Sequence, residues 1–380
     1  MIEIKKPSLS VLSSLPPVLG ISNFTLSAIK TLAQCFSLQI LAYYRFYPPF
    51  LRINTVKYGR ALTSSEDFEI LYSLSIINPF SWVRTYRNIS SPVVLMEWWN
   101  VVQLPHYIFL SYLLKKKNIK IFAELHNPVS HEGIIGERVL FNIWMRLVDL
   151  VIVHTECSGN AVDHDSIHII PYGVYPCEDI PAKEARKKFS IPNEAKVLLF
   201  FGNLRPYKGL DLLLKSFKHI ARNDKNVWLI IAGRPWKDFD DYLNLINSFG
   251  EDISSRIILR DEFIPESQVP FYFSAADLLV LPYKQFDSQS GVIMLTISCG
   301  LPYVVSDVKG LHEFALDSSS ISKVDSQDLS FVIERILSSP SKLEELHSDL
   351  KSLRAKYSWV NYARKIKELW NISVNTKEEE

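Results

Sequence analysis

Short apolar runs rich in β-branched and aromatic residues alternate along the chain with stretches whose apolar positions recur at helical spacing. In the first half the runs are SVLSSL, LQILAYY, VVLMEW, IKIFAEL, LVIVH and IHIIP, separated by helical patterns such as FTLSAIKTLAQCF and VVQLPHYIFLSYLLKK. Their continuous hydrophobicity predicts inner strands covered on both faces, and the alternation with helices predicts parallel sheets joined by helical crossovers. A second series follows: VLLFF, VWLIIAG, RIILRD, DLLVLP and PYVVSD. Within it, LDLLLKSFKHIA places Leu210, Leu213, Leu214, Phe217 and Ile220 at helical spacing. Between the two series, residues 171–196 hold four prolines and many charges, and the linker is expected there. The pattern is that of two doubly wound α/β domains in tandem. Ligands of such sheets sit at the carboxyl ends of the strands, so the expected site is a cleft between two facing domains.

Length and composition agree with this division. A chain of 380 residues suits two domains, and 47% hydrophobic with 22% charged residues are globular values. The net charge of +1 is unevenly spread: the first 120 residues carry thirteen Lys/Arg against five Asp/Glu, a surplus of eight. Such a surplus reads either as a solvated basic face or as a surface for an anionic membrane or phosphorylated acceptor. The aromatic stacking platforms of single-strand nucleic-acid binders do not accompany these charges, so nucleic acid is not expected as a partner. Cys35, Cys157, Cys177 and Cys299 are scattered, which predicts four structural thiols in a reducing compartment. The first twenty residues have no clean apolar run before Pro16, and no run reaches the length of a spanning helix. A cytoplasmic protein, soluble or peripheral to the membrane, is expected.

Two loops carry candidate chemistry. In FFGNLRPYKGLDLLLKSF, the strand ends at Gly202 and the helix starts near Leu210, so Arg205 and Lys208 lie in a βα loop at the ligand end of the strand. A helix N-terminus favours a nearby anion by about 0.3–1 kcal/mol, and each cation could add a charge-assisted bond of about 1.5–3 kcal/mol. By themselves the two cations read equally well as a diphosphate site or as surface charges on an exposed turn. In LPYKQFDSQSGVIMLTISCGLPYVVSD, Ser288, Gln289, Ser290 and Gly291 open an apolar helix. They read either as helix caps or as a close-approach anion site. Glycine is scarce, 13 in all, yet Gly202, Gly209, Gly291 and Gly300 fall in these two segments and Gly310 just beyond the second.

At this point the chain resembles a known family. FFGNLRPYKGLDLLLKSF, IPESQVPFYFSAADLLVLPY and SQSGVIMLTISCGLPYVVSDVKGLHEF are similar to the C-terminal half of GT-B glycosyltransferases of the large family 4 group. ELHNPVSHE and IIPYGVY resemble that group's HN-x-x-x-HE segment and linker strand, and SWVNYARKIKELW resembles its closing helix. The resemblance implies a GT-B fold with an N-terminal acceptor domain over residues 1–180 plus a returning helix over 358–373. A nucleotide-sugar domain would occupy residues 181–357. It implies a nucleotide-sugar donor contacted by Gly202, Arg205, Lys208, Ser288, Gln289, Ser290, Gly291 and Val292. His126 would face the donor sugar, where as a lone residue it would more often be structural, and Asp287 would bind sugar hydroxyls.

Many relatives carry two glutamates with seven residues between them. Counting back from Gly300, the first position holds Asp287 and the second Leu295, which cannot bind a ribose diol. On the acceptor side, Gly20, Ser22 and Asn23 match the loop before the first helix, and Trp98 in MEWWNVVQLPHY offers a ring for a sugar face or for the core. His126, His131 and Glu132 lack the spacing of a zinc helix, so no metal and no cofactor are expected. The expected activity is sugar transfer from a nucleotide-diphosphate donor to a glycan or lipid-linked acceptor, with retention. A GT-B nucleotide-sugar epimerase and a silent glycan- or nucleotide-binding relative stay open as alternatives.

Overall fold

The computed structural model describes residues 6–13, 15, 21–46, 64–65, 67–126, 136–175, 177–235, 239–286 and 289–375. The chain divides into two compact units, Met1–Gly173 with Ser358–Glu380, and Val174–Tyr357. The division at Gly173 falls inside the Pro-rich, charged stretch.

The first unit runs β1 (Ser8–Leu12), α1 (Ile21–Cys35), β2 (Ser37–Arg45), β3 (Phe68–Ser75), α2 (Pro79–Asn88) and β4 (Val93–Trp98). It continues with α3 (Leu104–Lys116), β5 (Lys120–Leu125), α4 (Glu137–Met145), β6 (Leu150–Val153), α5 (Glu156–Asn160) and β7 (Ile167–Ile169). Its seven strands are ordered β3-β2-β1-β4-β5-β6-β7 and every pairing is parallel. The strand order reverses between β1 and β4. All six positions of β4 are buried, Glu97 among them, and Leu41, Tyr107 and Trp144 sit in the core with its Met96.

The second unit runs α6 (Ala182–Lys188), β8 (Lys196–Phe201), α7 (Leu210–Asn223), β9 (Val227–Ala232), α8 (Asp240–Asn247), α9 (Glu251–Ser254) and β10 (Ile257–Arg260). Then follow α10 (Val269–Ala275), β11 (Leu278–Leu281), α11 (Gly291–Cys299), β12 (Tyr303–Ser306), α12 (Lys309–His312) and β13 (Ile321–Ser322). Helices α13 (Ser326–Leu337) and α14 (Pro340–Lys356) close this unit, and α15 (Trp359–Asn375) belongs to the first. The six-stranded parallel sheet is ordered β10-β9-β8-β11-β12-β13, reversing between β8 and β11. The apolar face of α7, with Leu213, Leu214, Phe217 and Ile220 fully buried, packs in one core with Phe200, Ile231 and Val304.

The two-domain α/β expectation therefore holds, with differences of detail. Strands β3 and β13 and helix α2 were not expected. β3, FEILYSLS, is an edge strand mixing Ser, Glu and Tyr with apolar residues, and β13 has only two residues. The expectation of four thiols is corrected: Cys177 and Cys299 form a disulfide with Cα atoms 5.2 Å apart, and Cys35 and Cys157 stay outside any disulfide. The two cysteines are 122 residues apart in sequence, and only folding of the second unit brings the start of its chain against the end of α11. Among the described residues no helix is long and apolar enough to cross a membrane.

Candidate active site

Topology selects two loops in the second unit. β8 and β11 are neighbours at the reversal of strand order, with Leu198 opposite Leu278, so the segments leaving their carboxyl ends flank the point where doubly wound sheets take ligands. These are the RPYKG and SQSG loops. The first turns through a 3-10 turn, Pro206–Lys208, and ends at Gly209 in the left-handed conformation, φ +71°. A Cβ there would lie 1.9 Å from the Pro282 carbonyl oxygen, so the close approach of the two loops requires glycine. The Lys284 amide donates to the Tyr207 carbonyl at 2.7 Å, and the Tyr207 and Phe286 rings stack. From the other side, Ser306 Oγ donates to the carbonyls of Leu281 and Tyr283.

This frame aims Lys208 inward. Its side chain is buried, with Nζ 5.3 Å from the Tyr283 ring centre and 2.9 Å from the point a Cβ on Gly202 would occupy. Gly202 has φ +102°, and the same point is 3.2 Å from Val292 in the first turn of α11. Lysine amine, glycine at the end of β8 and the start of α11 thus meet at one place. Burial first, and the Arg205 guanidinium second, lower the Lys208 amine from 10.5 to about 7. Among the described residues no carboxylate or carbonyl accepts from Nζ.

The start of α11 supplies the complementary backbone. Ser290 is buried and its Oγ accepts from the Ile293 amide at 3.4 Å, a capping bond. A Cβ on the exposed Gly291 would meet nothing within 4 Å, so this turn faces open space. Gln289 is buried beside Ser290, Arg205 is half-buried, and α7 begins at Gly209 with no side-chain cap. Leu295 lies partly exposed one turn into α11. Asp287 and Ser288 lie outside the described residues.

In the first unit, His126 follows β5, and its amide donates to the Trp98 carbonyl at 3.0 Å. Its ring is 4.5 Å from Phe24 and 5.0 Å from His154, centre to centre. Burial, then His154, hold its imidazole well below 6.5 and therefore neutral. Beneath it lie residues that sequence reasoning missed. Glu124 and Glu97 are register partners on β5 and β4, both fully buried. Tyr362 of α15 donates to Glu124 Oε1 at 2.7 Å, and Thr25 of α1 donates to Glu97 Oε2 at 2.7 Å. Burial, then Glu97, raise the Glu124 carboxyl well above 4.5. His154 Nε2 stands 3.8 Å from Glu124 Oε1, a separation that fits an ion pair, yet burial lowers His154 to about 4. Burial favours the neutral arrangement of this contact, a protonated carboxyl beside a neutral imidazole. The available signal was a carboxylate inside each of two otherwise apolar strands.

Of the acceptor-side residues, Trp98 is corrected. It is 1% exposed and packs on Phe141 and Trp144, because both faces of β4 are covered to its last residue. No face of the ring is free for a sugar. Trp99 is also buried, stacked on Phe46. Ser22 is buried in α1, while Gly20 and the Asn23 side chain lie outside the described residues. So do His131 and Glu132; among the described residues no group of three His, Cys, Asp or Glu could hold a metal ion.

The two parallel sheets with their interleaved helices are those of the GT-B class. The sucrose-phosphate synthase of Thermosynechococcus elongatus superposes with a TM-score of 0.70 at 16% identity, covering 96% of this chain and 98% of that one. HepE of Anabaena in complex with UDP gives 0.72 at 16% identity, covering 96% and 99%. Residues 181–352 match the family described as glycosyl transferases group 1, and the second unit carries a domain of that family. The lipopolysaccharide 1,2-N-acetylglucosaminetransferase of Salmonella typhimurium is 25% identical over 215 residues, 53% of this chain and 56% of that protein. The D-inositol 3-phosphate glycosyltransferase of Corynebacterium diphtheriae is 24% identical over 242 residues, 58% and 56%. The matches span little more than half the length of these curated relatives.

Proposed function

We propose that the protein transfers a sugar from a nucleotide-diphosphate sugar to a glycan or lipid-linked glycan, with retention at the anomeric carbon. The observation that carries this reading is the convergence of Lys208 Nζ, Gly202 and the first turn of α11 on one point. HepE, a structural neighbour, has been solved with UDP-glucose, which supports a nucleotide-sugar donor. A diphosphate beside Lys208 returns the amine to its ammonium form, so charge builds where the leaving group needs it. Arg205 and the free amides of α11 take the remaining phosphate oxygens.

In the step itself, the bond from the anomeric carbon to the diphosphate oxygen breaks with its electron pair on the diphosphate. The acceptor hydroxyl oxygen bonds to that carbon on the same face, and its proton passes to the leaving phosphate. Asp287 orients the sugar hydroxyls. We assign no metal and no further cofactor to the reaction, since the two cations and the helix starts supply the charge. Leu295 offers nothing to a ribose diol, so the ribose contact falls to another residue.

The test is incubation with UDP-glucose, GDP-mannose and ADP-glucose, followed by measurement of released nucleotide and mass spectrometry of the sugar. One donor is expected to be hydrolysed slowly alone and faster with a glycan acceptor. Consumption of none, with no binding of the corresponding diphosphates, would refute the reading.

A further inference from the structure

Helices α2, α3 and α4 of the first unit pack side by side and carry two features that the sugar-transfer reading leaves unused. The first is apolar exposure. Phe80 is 86% exposed, Val139 63%, Tyr112 52% and Ile143 41%. A groove of about 620 Å³ on the same helices is lined by Trp82, Ile108, Phe109, Tyr112, Ile143 and Arg146. Large apolar side chains concentrated in this way on three neighbouring helices mark an interaction surface. The second is charge. Arg84, Arg87, Lys116, Lys117, Arg138 and Arg146 are all exposed on or beside the same helices. α2 and α3 contain no acidic residue and α4 only Glu137. Lys116 lies over the Tyr112 ring at 4.4 Å and Lys117 over Tyr86 at 4.2 Å, so cations and apolar rings are interleaved.

We infer that this helical face docks on an anionic lipid bilayer. The partner must be rich in negative charge and must also accept large apolar side chains at shallow depth. Anionic headgroups above acyl chains supply both. A nucleic acid supplies the charge without the apolar layer. A second copy of this face would meet cations with cations, which disfavours self-association. The surplus of eight cationic residues in the first 120 is thus gathered in part onto one surface.

The proposal stands apart from the sugar-transfer reading, because binding is measured with neither donor nor acceptor. The full chain is sedimented with vesicles of phosphatidylcholine alone or with about 30 mol% phosphatidylglycerol, a typical anionic surface. Association with the anionic vesicles only, weakened by salt, is expected. Arg84→Glu with Lys116→Glu is expected to lower the partition coefficient at least about tenfold, each charge near the surface contributing independently. Phe80→Ser with Val139→Ser, both on exposed positions, is expected to weaken binding while leaving thermal melting and nucleotide binding unchanged. No association with anionic vesicles, equal association with phosphatidylcholine, or wild-type binding by both double variants would overturn the proposal. So would a dimer, measured by light scattering, that the same substitutions dissociate.

Discussion

Lys208 is the residue on which the proposed chemistry turns, and its burial makes a solution prediction. In the free protein its amine titrates near 7, and a bound diphosphate raises that value. Below about pH 7 the amine is charged in both states and affinity is at its maximum. Above it, binding takes up a proton, so affinity falls with rising pH until the bound-state value is passed. Calorimetry in buffers of different ionisation enthalpy should show this uptake near pH 8, and Lys208→Ala should abolish it. Glu124 and His154 respond to pH in opposite directions. The folded His154 titrates near 4 against 6.5 when unfolded, so its contribution is complete above 6.5 and is lost as pH falls toward 4. The folded Glu124 titrates well above 4.5, so the unfolded chain releases its proton first and stability falls as pH rises through that range. Glu124→Gln keeps an acceptor for Tyr362, and it should raise the melting temperature at pH 8 while changing it little near pH 4. The βα-loop position of Lys208 could be read from the sequence, while His126 was singled out only by the family resemblance. The Glu97–Glu124 pair was not, because residues 27 positions apart meet only through the β4–β5 register.

At the scale of elements, two loops and two helix starts make the proposed anion site, and glycines hold the loops together. Gly209→Ala places a methyl against the Pro282 carbonyl at a left-handed residue, so a loss of about 1–3 kcal/mol is expected in denaturant unfolding. Ser290→Ala removes the cap of α11 and should cost about 0.5–2 kcal/mol. Nucleotide affinity should fall with either change. Both loops could be read in advance because β8 and β11 are unbroken apolar runs whose ends are marked by Gly202 and Pro282. Their convergence was implied only by the family resemblance, since it depends on β8 and β11 being neighbours although β9 and β10 lie between them in sequence. Trp98 shows the reverse failure. An aromatic residue at the ligand end of a strand looks available, yet α4 brings Trp144 and Phe141 against it. β3 escaped notice for a different reason, its alternation of polar and apolar positions at a sheet edge lacking the signature of a buried strand.

At the scale of the whole molecule, the sequence pattern disclosed two parallel sheets, while the covalent link in the second remained hidden. A peptide map without reduction should recover the Cys177–Cys299 pair. A closed loop on the order of 100 residues is stabilised by about 4–5 kcal/mol in the chain-entropy model, so reduction should lower the melting temperature by several degrees. The measurement closest to the heart of the matter compares a nucleoside diphosphate with its nucleoside. UDP, GDP and ADP are titrated calorimetrically beside uridine, guanosine and adenosine, against wild type and Lys208→Ala. One diphosphate is expected to bind wild type at least about a hundredfold more tightly than its nucleoside, equivalent to one or two charge-assisted bonds. In Lys208→Ala most of that difference should vanish. Equal affinity for diphosphate and nucleoside in the wild type would contradict the diphosphate cradle and the sugar-transfer reading built on it.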